Sequence, residues 1–142
     1  MQKKVMIFDF DGVIVDSEPV RYQTYKELFQ KEFGVFLPKK DLTIYGRTPR
    51  MNIMYFLEKY SLKGDVDALL MKRNRLIYDA FNKEENIIPI EGVVNFIRCL
   101  KSVGIRMAIA SSGHQDHITK ILDHLNLREY FEVIVSGDMV QN

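Results

Sequence analysis

Three short runs of consecutive apolar residues lie along the chain, and segments with helical periodicity separate them. The runs are Val5–Phe8, Met107–Ala110 and Phe131–Val135. A run that is apolar at every position, rather than at alternate positions, is typical of a strand buried on both faces of a parallel sheet. We therefore expect three buried, parallel strands.

Apolar residues recur at helical spacing in the segments that precede the second run and that join it to the third. The positions are Val93, Phe96, Ile97 and Leu100, and then Ile118, Ile121, Leu122 and Leu125. Strands that alternate with helices form a parallel sheet with helical layers, so the fold class is predicted to be α/β.

The stretch 16–86 has a different pattern, with three apolar helical stripes and no clear strand. The stripes consist of Tyr22, Tyr25, Leu28 and Phe29; of Ile53, Phe56, Leu57 and Tyr60; and of Val66, Leu69, Leu70, Ile77 and Phe81. We predict that residues 1–15 and 87–142 form the α/β core and that residues 16–86 form an inserted helical unit. The aromatic side chains of so small a unit are expected in its core rather than on a stacking surface.

Composition narrows the class of protein. The 142 residues are 46% hydrophobic and carry a net charge of +1, which argues against nucleic-acid binding by bulk electrostatics. No apolar run approaches the roughly 20 residues of a membrane span, and no signal peptide is recognisable at the start. The single cysteine, Cys99, excludes an internal disulfide framework. These features predict a cytoplasmic protein that binds neither membranes nor nucleic acid.

Two carboxylates, Asp9 and Asp11, follow the first predicted strand directly, and Gly12 follows them. Ligands of open parallel sheets bind outside the carboxyl ends of the strands. A carboxylate there can attack phosphorus, a second one can serve as general acid and base, and Mg²⁺ can bridge carboxylate and phosphate. The alternative is a pair of loop aspartates that make Asx turns.

The string Phe8-Asp9-Phe10-Asp11-Gly12-Val13-Ile14-Val15-Asp16-Ser17-Glu18-Pro19 resembles the first motif of the haloacid dehalogenase-like hydrolase superfamily. The helical insert after it resembles the type 1 cap of the β-phosphoglucomutase-like and phosphatase subgroup. The resemblance implies a three-layer, Rossmann-like core with an inserted helical cap. It also implies that Asp9 is the nucleophile and that Asp11 is the general acid and base, with both at the Mg²⁺ site. Dehalogenases proper lack the second aspartate, so phosphoryl transfer is expected.

A second motif, Ile109-Ala110-Ser111-Ser112-Gly113, closes the second predicted strand. In the family a hydroxyl at the position of Ser111 binds the transferring phosphoryl group. We expect Ser112 and Gly113 to add backbone N–H donors, as anion-binding turns do. The alternative for such a serine is a simple helix N-cap.

The segment Tyr45-Gly46-Arg47-Thr48-Pro49-Arg50 resembles the substrate-specificity loop of the cap. Arg47 and Arg50 are candidates to hold a second anionic group of the substrate, and the alternative is that both are solvated. Mutases of the subgroup carry a lysine where this chain has Tyr45. This difference favours a phosphatase over a phosphosugar mutase.

Two further motifs of the family, a lysine in a Gly-Lys-Pro context and an acidic pair, are not found before Asn142. The core is therefore expected to be incomplete at its C-terminal side, as in a truncated chain, with an uncovered apolar sheet edge that favours self-association. The expected function is Mg²⁺-dependent hydrolysis of a small phosphorylated metabolite through an aspartyl-phosphate. The alternatives are a β-phosphoglucomutase-like mutase and a catalytically inactive chain.

Overall fold

The computed structural model describes residues 4–41 and 47–139. Within these ranges the elements are β1 (Val5–Phe8), α1 (Glu18–Phe33), α2 (Pro49–Lys59), α3 (Val66–Ala80), α4 (Val93–Ser102), β2 (Arg106–Ala110), α5 (Gln115–His124) and β3 (Val133–Val135). None of the helices in the described ranges has the length and apolar character needed to cross a bilayer.

The chain divides into two compact units. The α/β unit consists of Met1–Glu18 and Lys83–Asn142, and the helical unit is Pro19–Asn82. The sequence predicts an insert of residues 16–86. The structure assigns residues 16–18 and 83–86 of this range to the α/β unit.

The α/β unit contains a parallel three-stranded sheet in the order β1-β2-β3. Phe8 of β1 pairs with Ile109 of β2, and Ala110 of β2 pairs with Val135 of β3. Each strand follows its predecessor through a helix, and the parallel α/β class predicted from the sequence is confirmed.

Burial alternates along β2 and β3, and Val5, Met6 and Ile7 of β1 are all exposed, so the prediction that every strand is covered on both faces is wrong for the described chain. The buried face carries Phe8, Met107, Ile109 and Ile134, and the opposite face exposes Val5, Ile7, Val133 and Val135. Within this unit, α4 and α5 lie on one face of the sheet, because parallel crossovers are right-handed. The ring of Phe96 on α4 accordingly meets that of Phe8 at 6.2 Å between centroids.

The third strand is shorter than predicted, because Phe131 and Glu132 precede it. The N–H of Phe131 bonds to the carbonyl of Arg128 and closes a short 3₁₀ turn. Its side chain is 3% exposed and packs edge-on against the Phe8 ring at 5.7 Å. Phe131 is therefore apolar because it fills the core beneath the sheet, and its hydrophobicity alone could not distinguish this role from a strand position.

The helical unit packs around a core of aromatic and branched side chains, as the three predicted stripes require. The rings of Tyr25 and Phe29 both contact that of Phe56, at 5.6 and 5.4 Å. All three are buried, so the prediction that these aromatic residues form a core is confirmed. The Thr48 hydroxyl caps α2 and the Asp65 carboxylate caps α3, each by accepting a bond from an orphan N–H of the first turn.

Candidate active site

The residues of the first two motifs lie at the same edge of the sheet. Asp9 directly follows β1 and Ser111 directly follows β2. Since Phe8 pairs with Ile109 in parallel register, Asp9 comes opposite Ala110, one residue before Ser111. Neighbouring strands are about 4.8 Å apart. The sheet register therefore brings a carboxylate and a hydroxyl-bearing turn side by side.

A tight turn anchored on Phe10 holds the two carboxylates. The Phe10 ring is 1% exposed, and its carbonyl accepts N–H bonds from Val13, Ile14 and Val15 at 3.3, 2.8 and 3.3 Å. Gly12 turns the backbone with a φ of 75°, a left-handed conformation that residues with a β-carbon rarely adopt.

The carboxylates on either side of Phe10 differ in exposure. Asp9 is exposed and Asp11 is half-buried. One oxygen of Asp9, Oδ1, accepts the N–H of Phe10 at 2.7 Å, which fixes the orientation of the carboxylate. Because both residues are held by the same buried anchor, the pair is a rigid feature of the turn.

The segment after this turn is tied to the segment that returns from the helical unit. The N–H of Asp16 bonds to the carbonyl of Ile88 at 2.8 Å, and the N–H of Ile90 bonds to the carbonyl of Ile14 at 3.0 Å. A short antiparallel pairing of Val15 with Pro89 lies between these bonds. The carboxylate turn is thus supported by the α/β unit itself.

The Ser111 turn has a defined local geometry. The half-buried Ser111 extends the sheet by donating its N–H to the carbonyl of Val135 at 2.9 Å. Its Oγ accepts the N–H of Gly113 at 3.0 Å, so an incoming anion would compete with this hydroxyl for that donor. The N-cap of α5 is His114, which means that neither Ser111 nor the exposed Ser112 is the simple N-cap considered as the alternative.

A third loop, Gly137–Met139, supports this turn and was not recognised as functional from the sequence. The N–H of Gly137 bonds to the carbonyl of Gly113 at 2.9 Å. The Asp138 carboxylate accepts the N–H of Gln115, the first residue of α5, at 3.1 Å. No sequence signal marks Asp138, because only the structure shows that the His114 side chain makes no cap bond and that α5 takes an acceptor from another loop.

Asp138 is held in its charged form. The Ser136 hydroxyl lowers the pKa of the Asp138 carboxyl, and the backbone N–H groups of Asp138 itself and of Gln115 lower it further. Desolvation of this exposed carboxylate acts in the opposite direction and is outweighed. The carboxylate therefore carries a negative charge at neutral pH, beside the positive end of the α5 dipole.

In the helical unit, the two candidate arginines of the specificity loop have partners. The Arg47 guanidinium lies over the Tyr55 ring, 4.6 Å from its centroid, and the Arg50 guanidinium forms an ion pair with Asp67. Both arginines are exposed. The first two residues of the predicted loop motif, Tyr45 and Gly46, lie outside the described residues.

A polar cluster centred on Asp41 connects this residue to the end of α2. The carboxylate of Asp41 accepts the Tyr60 hydroxyl at 2.5 Å and pairs with the Lys59 ammonium at 2.9 Å. Lys59 also donates to the Tyr55 hydroxyl at 3.2 Å. The Tyr60 hydroxyl and then Lys59 lower the pKa of Asp41, while Asp41 raises the pKa of both Lys59 and Tyr60.

The carboxylate turn is compatible with a hard cation. Within residues 4–41 and 47–139, no group of three or more His, Cys, Asp or Glu residues is arranged to hold a metal ion. Mg²⁺, however, is commonly bound by one or two carboxylates together with substrate phosphate oxygens and water. In such a shared site the Asp9 carboxylate and the backbone carbonyl of Asp11 would be the protein ligands, and the substrate would complete the coordination.

Comparison with known proteins yields relatives along nearly the whole chain. A phosphorylated carbohydrates phosphatase of Thermotoga maritima is 26% identical over 142 residues, which cover 98% of this chain and 63% of that protein. A phosphoglycolate phosphatase of Aquifex aeolicus is 30% identical over 151 residues, which cover 95% of this chain and 61% of that protein. The chain thus spans a little over three-fifths of the length of these curated relatives.

Solved structures show the same fold. The structure of a predicted phosphoglycolate phosphatase from Haemophilus somnus 129pt matches with a TM-score of 0.84 and 14% identity, over 100% of this chain and 66% of that one. At this identity the likeness bears on the fold alone. The model of the haloacid dehalogenase-like hydrolase family matches residues 6–142. With the parallel sheet and both motifs at one sheet edge, this match over almost the entire sequence shows that the chain belongs to the haloacid dehalogenase-like hydrolases.

Proposed function

We propose that the protein is a phosphatase that hydrolyses phosphoric monoesters of small metabolites. The observation that carries this proposal is the sheet register, which brings Asp9 beside the Ser111 turn. Phosphoryl transfer through an aspartyl-phosphate requires a nucleophilic carboxylate and a group that binds the phosphoryl oxygens. The phosphatase relatives support the same class of reaction.

In the proposed reaction, a carboxylate oxygen of Asp9 forms a bond to phosphorus while the bond from phosphorus to the ester oxygen breaks. Asp11 donates its proton to the leaving alkoxide. Asp11 then accepts a proton from a water molecule whose oxygen forms a bond to phosphorus while the bond from phosphorus to the Asp9 oxygen breaks. Inorganic phosphate leaves, and both carboxylates return to their starting states. When bound, Mg²⁺ supplies charge neutralisation between carboxylate and phosphate.

The Ser111 turn is proposed to hold the phosphoryl oxygens during these steps. The Ser111 hydroxyl can donate to one oxygen, and the N–H groups of Ser112 and Gly113 can donate to others. Gly113 already donates to Ser111 Oγ, so binding would exchange this bond for one to the anion. Once this exchange has occurred on binding, the donors stabilise the charge that develops in the reaction.

The helical unit is proposed to act as a cap that selects the substrate, with Arg47 and Arg50 as candidates for contact with a second anionic group. Arg47 is fixed over Tyr55 and Arg50 is paired with Asp67, so the substrate would have to compete with Asp67 for Arg50. A small phosphorylated metabolite in the cytoplasm is the substrate class that we propose, and the phosphatase relatives act on compounds of this kind by name.

The decisive experiment is turnover of p-nitrophenyl phosphate in the presence of Mg²⁺ by the chain and by its Asp9→Asn variant. We expect release of p-nitrophenolate by the parent chain and none by Asp9→Asn. An acid quench during turnover should leave a phosphoryl group on Asp9, detectable by peptide mass spectrometry. Asp123→Asn, at an exposed position near the end of α5, is the matched control and should retain full activity.

Each other outcome rejects a definite part of the proposal. Turnover by Asp9→Asn would reject the nucleophile. Absence of turnover in the parent chain would mean that this polypeptide is catalytically inactive. Dependence on a sugar bisphosphate activator, with isomerised product and little net phosphate release, would favour the mutase instead.

A further inference from the structure

We propose that Asp138 is a positioning residue, whose carboxylate holds the start of α5 and thereby keeps the Ser111–Gly113 turn in the shape that binds a phosphoryl group. This inference rests on the proposed role of that turn. It concerns a residue that bonds to protein rather than to substrate.

The first argument is the state of the α5 N-terminus. The first four N–H groups of a helix have no partners within the helix, and a side chain at the N-cap usually accepts one of them. The N-cap here is His114, whose side chain makes no such bond. Asp138 supplies the acceptor from another loop by taking the Gln115 N–H at 3.1 Å. Its negative charge there is also favoured by the helix dipole.

The second argument is the sharing of contacts between the Gly137–Met139 loop and the phosphate-binding turn. Main-chain bonds join Ser111 to Val135 at 2.9 Å and Gly137 to Gly113 at 2.9 Å. A side-chain bond adds to these main-chain bonds: the N–H of Gln115, two residues beyond Gly113, donates to the Asp138 carboxylate. The turn is therefore held on both sides, by the sheet before it and by Asp138 after it.

The third argument is that the turn has a competing local arrangement. Gly113 donates its N–H to Ser111 Oγ within the turn, and this bond must open for the amide to meet an anion. If Gln115 were released, the residues between Ser111 and the helix would keep the Gly137–Gly113 bond but lose the contact that holds the start of the helix. A looser turn would still bond internally but would present its donors less often in the geometry that an anion needs.

The test compares Asp138→Ala, Asp138→Asn and Asp116→Ala in the full 142-residue chain. Asp116 lies exposed in the first turn of the same helix, so its removal controls for the loss of a negative charge near the helix start. Inorganic phosphate is the probe, titrated while the backbone amide signals of Ser111, Ser112 and Gly113 are followed by NMR. Amide hydrogen exchange at Gln115 is measured on the same samples.

For Asp138→Ala we expect a dissociation constant for phosphate that is about tenfold higher, and faster exchange at Gln115. Asp138→Asn retains an acceptor oxygen and should recover much of both properties. Asp116→Ala should leave both as in the parent chain. A role confined to overall stability would not produce this rescue by asparagine together with a local change at Gln115.

The failures are distinguishable. Equal phosphate affinity in the parent chain and Asp138→Ala would overturn this inference and leave the proposed function standing. An equal loss of phosphate affinity in Asp138→Ala and Asp116→Ala would assign the effect to the negative charge near the start of the helix instead. If the parent chain itself does not bind phosphate, the proposed function of the turn fails, and the inference that depends on it fails with it. Gln115 exchange would then show only whether the contact exists in solution.

Discussion

Gly137 lies so close to Ser112 that a β-carbon on Gly137 would stand 2.3 Å from the Ser112 carbonyl oxygen. The obstructing atoms belong to the main chain, which cannot rotate away as a flexible side chain can. The absence of a side chain at position 137 is thus a condition for the contact between the Gly137–Met139 loop and the Ser111–Gly113 turn.

Gly137→Ala should therefore destabilise the α/β unit by about 1–3 kcal/mol, the usual cost of forcing an extra carbon into a closely packed site. The measurement is the free energy of unfolding in urea. Gly113→Ala is a matched control in the adjoining turn, because a β-carbon there would meet its nearest neighbour at 3.4 Å, an ordinary contact. A similar loss for both variants would show that the close approach is not what limits position 137.

Ser111→Ala should weaken the binding of inorganic phosphate about tenfold, because hydrogen bonds to charged groups contribute more than neutral ones. The variant also frees the Gly113 N–H from its bond to the hydroxyl, so its amide signal should shift before phosphate is added. Ser102→Ala, which removes a hydroxyl bonded to the end of α4, is the control and should bind phosphate as the parent chain does. Unchanged affinity in Ser111→Ala would remove this hydroxyl from the proposed anion site.

The Asp41 cluster should make the stability of the helical unit depend on pH at both extremes. Because Tyr60 and then Lys59 lower the pKa of Asp41, its contribution is present above the pKa of an unfolded-chain aspartate and is lost as the pH falls below about 4. Because Asp41 raises the pKa of Tyr60 and Lys59, their contribution is present below about pH 10 and is lost as the pH rises further.

Thermal unfolding of Tyr60→Phe and the parent chain across this range provides the measurement. The variant lacks the hydroxyl that Asp41 accepts, so it should be less stable than the parent at neutral pH. The difference should shrink in acid, where Asp41 is protonated in both proteins. Tyr78→Phe, at an exposed tyrosine of α3, should follow the parent curve throughout. A difference between Tyr60→Phe and the parent that stays constant from neutral pH into acid would contradict the coupling.

The bare face of the sheet should make the chain self-associate. Ile7 is 66% exposed on β1. Within the part of the chain that the structure describes, β1 pairs with β2 on one side and with no strand on the other, so it is an edge strand. Exposed apolar strands at a sheet edge are pairing sites. Ile7→Lys should shift the chain towards monomer in sedimentation velocity, whereas Val103→Lys, at an equally exposed valine after α4, should not. A monomeric parent chain at high concentration would exclude this association.

The sequence predicted the fold and the neighbourhood of the candidate site wherever a local pattern was sufficient. The continuous apolar run of Val5–Phe8 predicted the strand, and its register with β2 then placed Asp9 beside the Ser111 turn. The same run predicted burial on both faces incorrectly, because burial depends on which elements cover a strand and not on the strand itself. The bond of Asp138 to Gln115 joins residues 23 positions apart, and no local pattern announces such a contact.

The pairing of Val15 with Pro89 has a consequence for how such proteins can change over evolution. The chain leaves the α/β unit and re-enters it through two segments that bond to each other within that unit. The helical unit is therefore an insertion whose two ends are held together by hydrogen bonds of the α/β unit. The entropic cost of closing such an inserted loop grows only slowly with the length of the loop. Insertions, deletions or wholesale replacement between these segments can therefore change the helical unit while the carboxylate turn beside them keeps its hydrogen bonds.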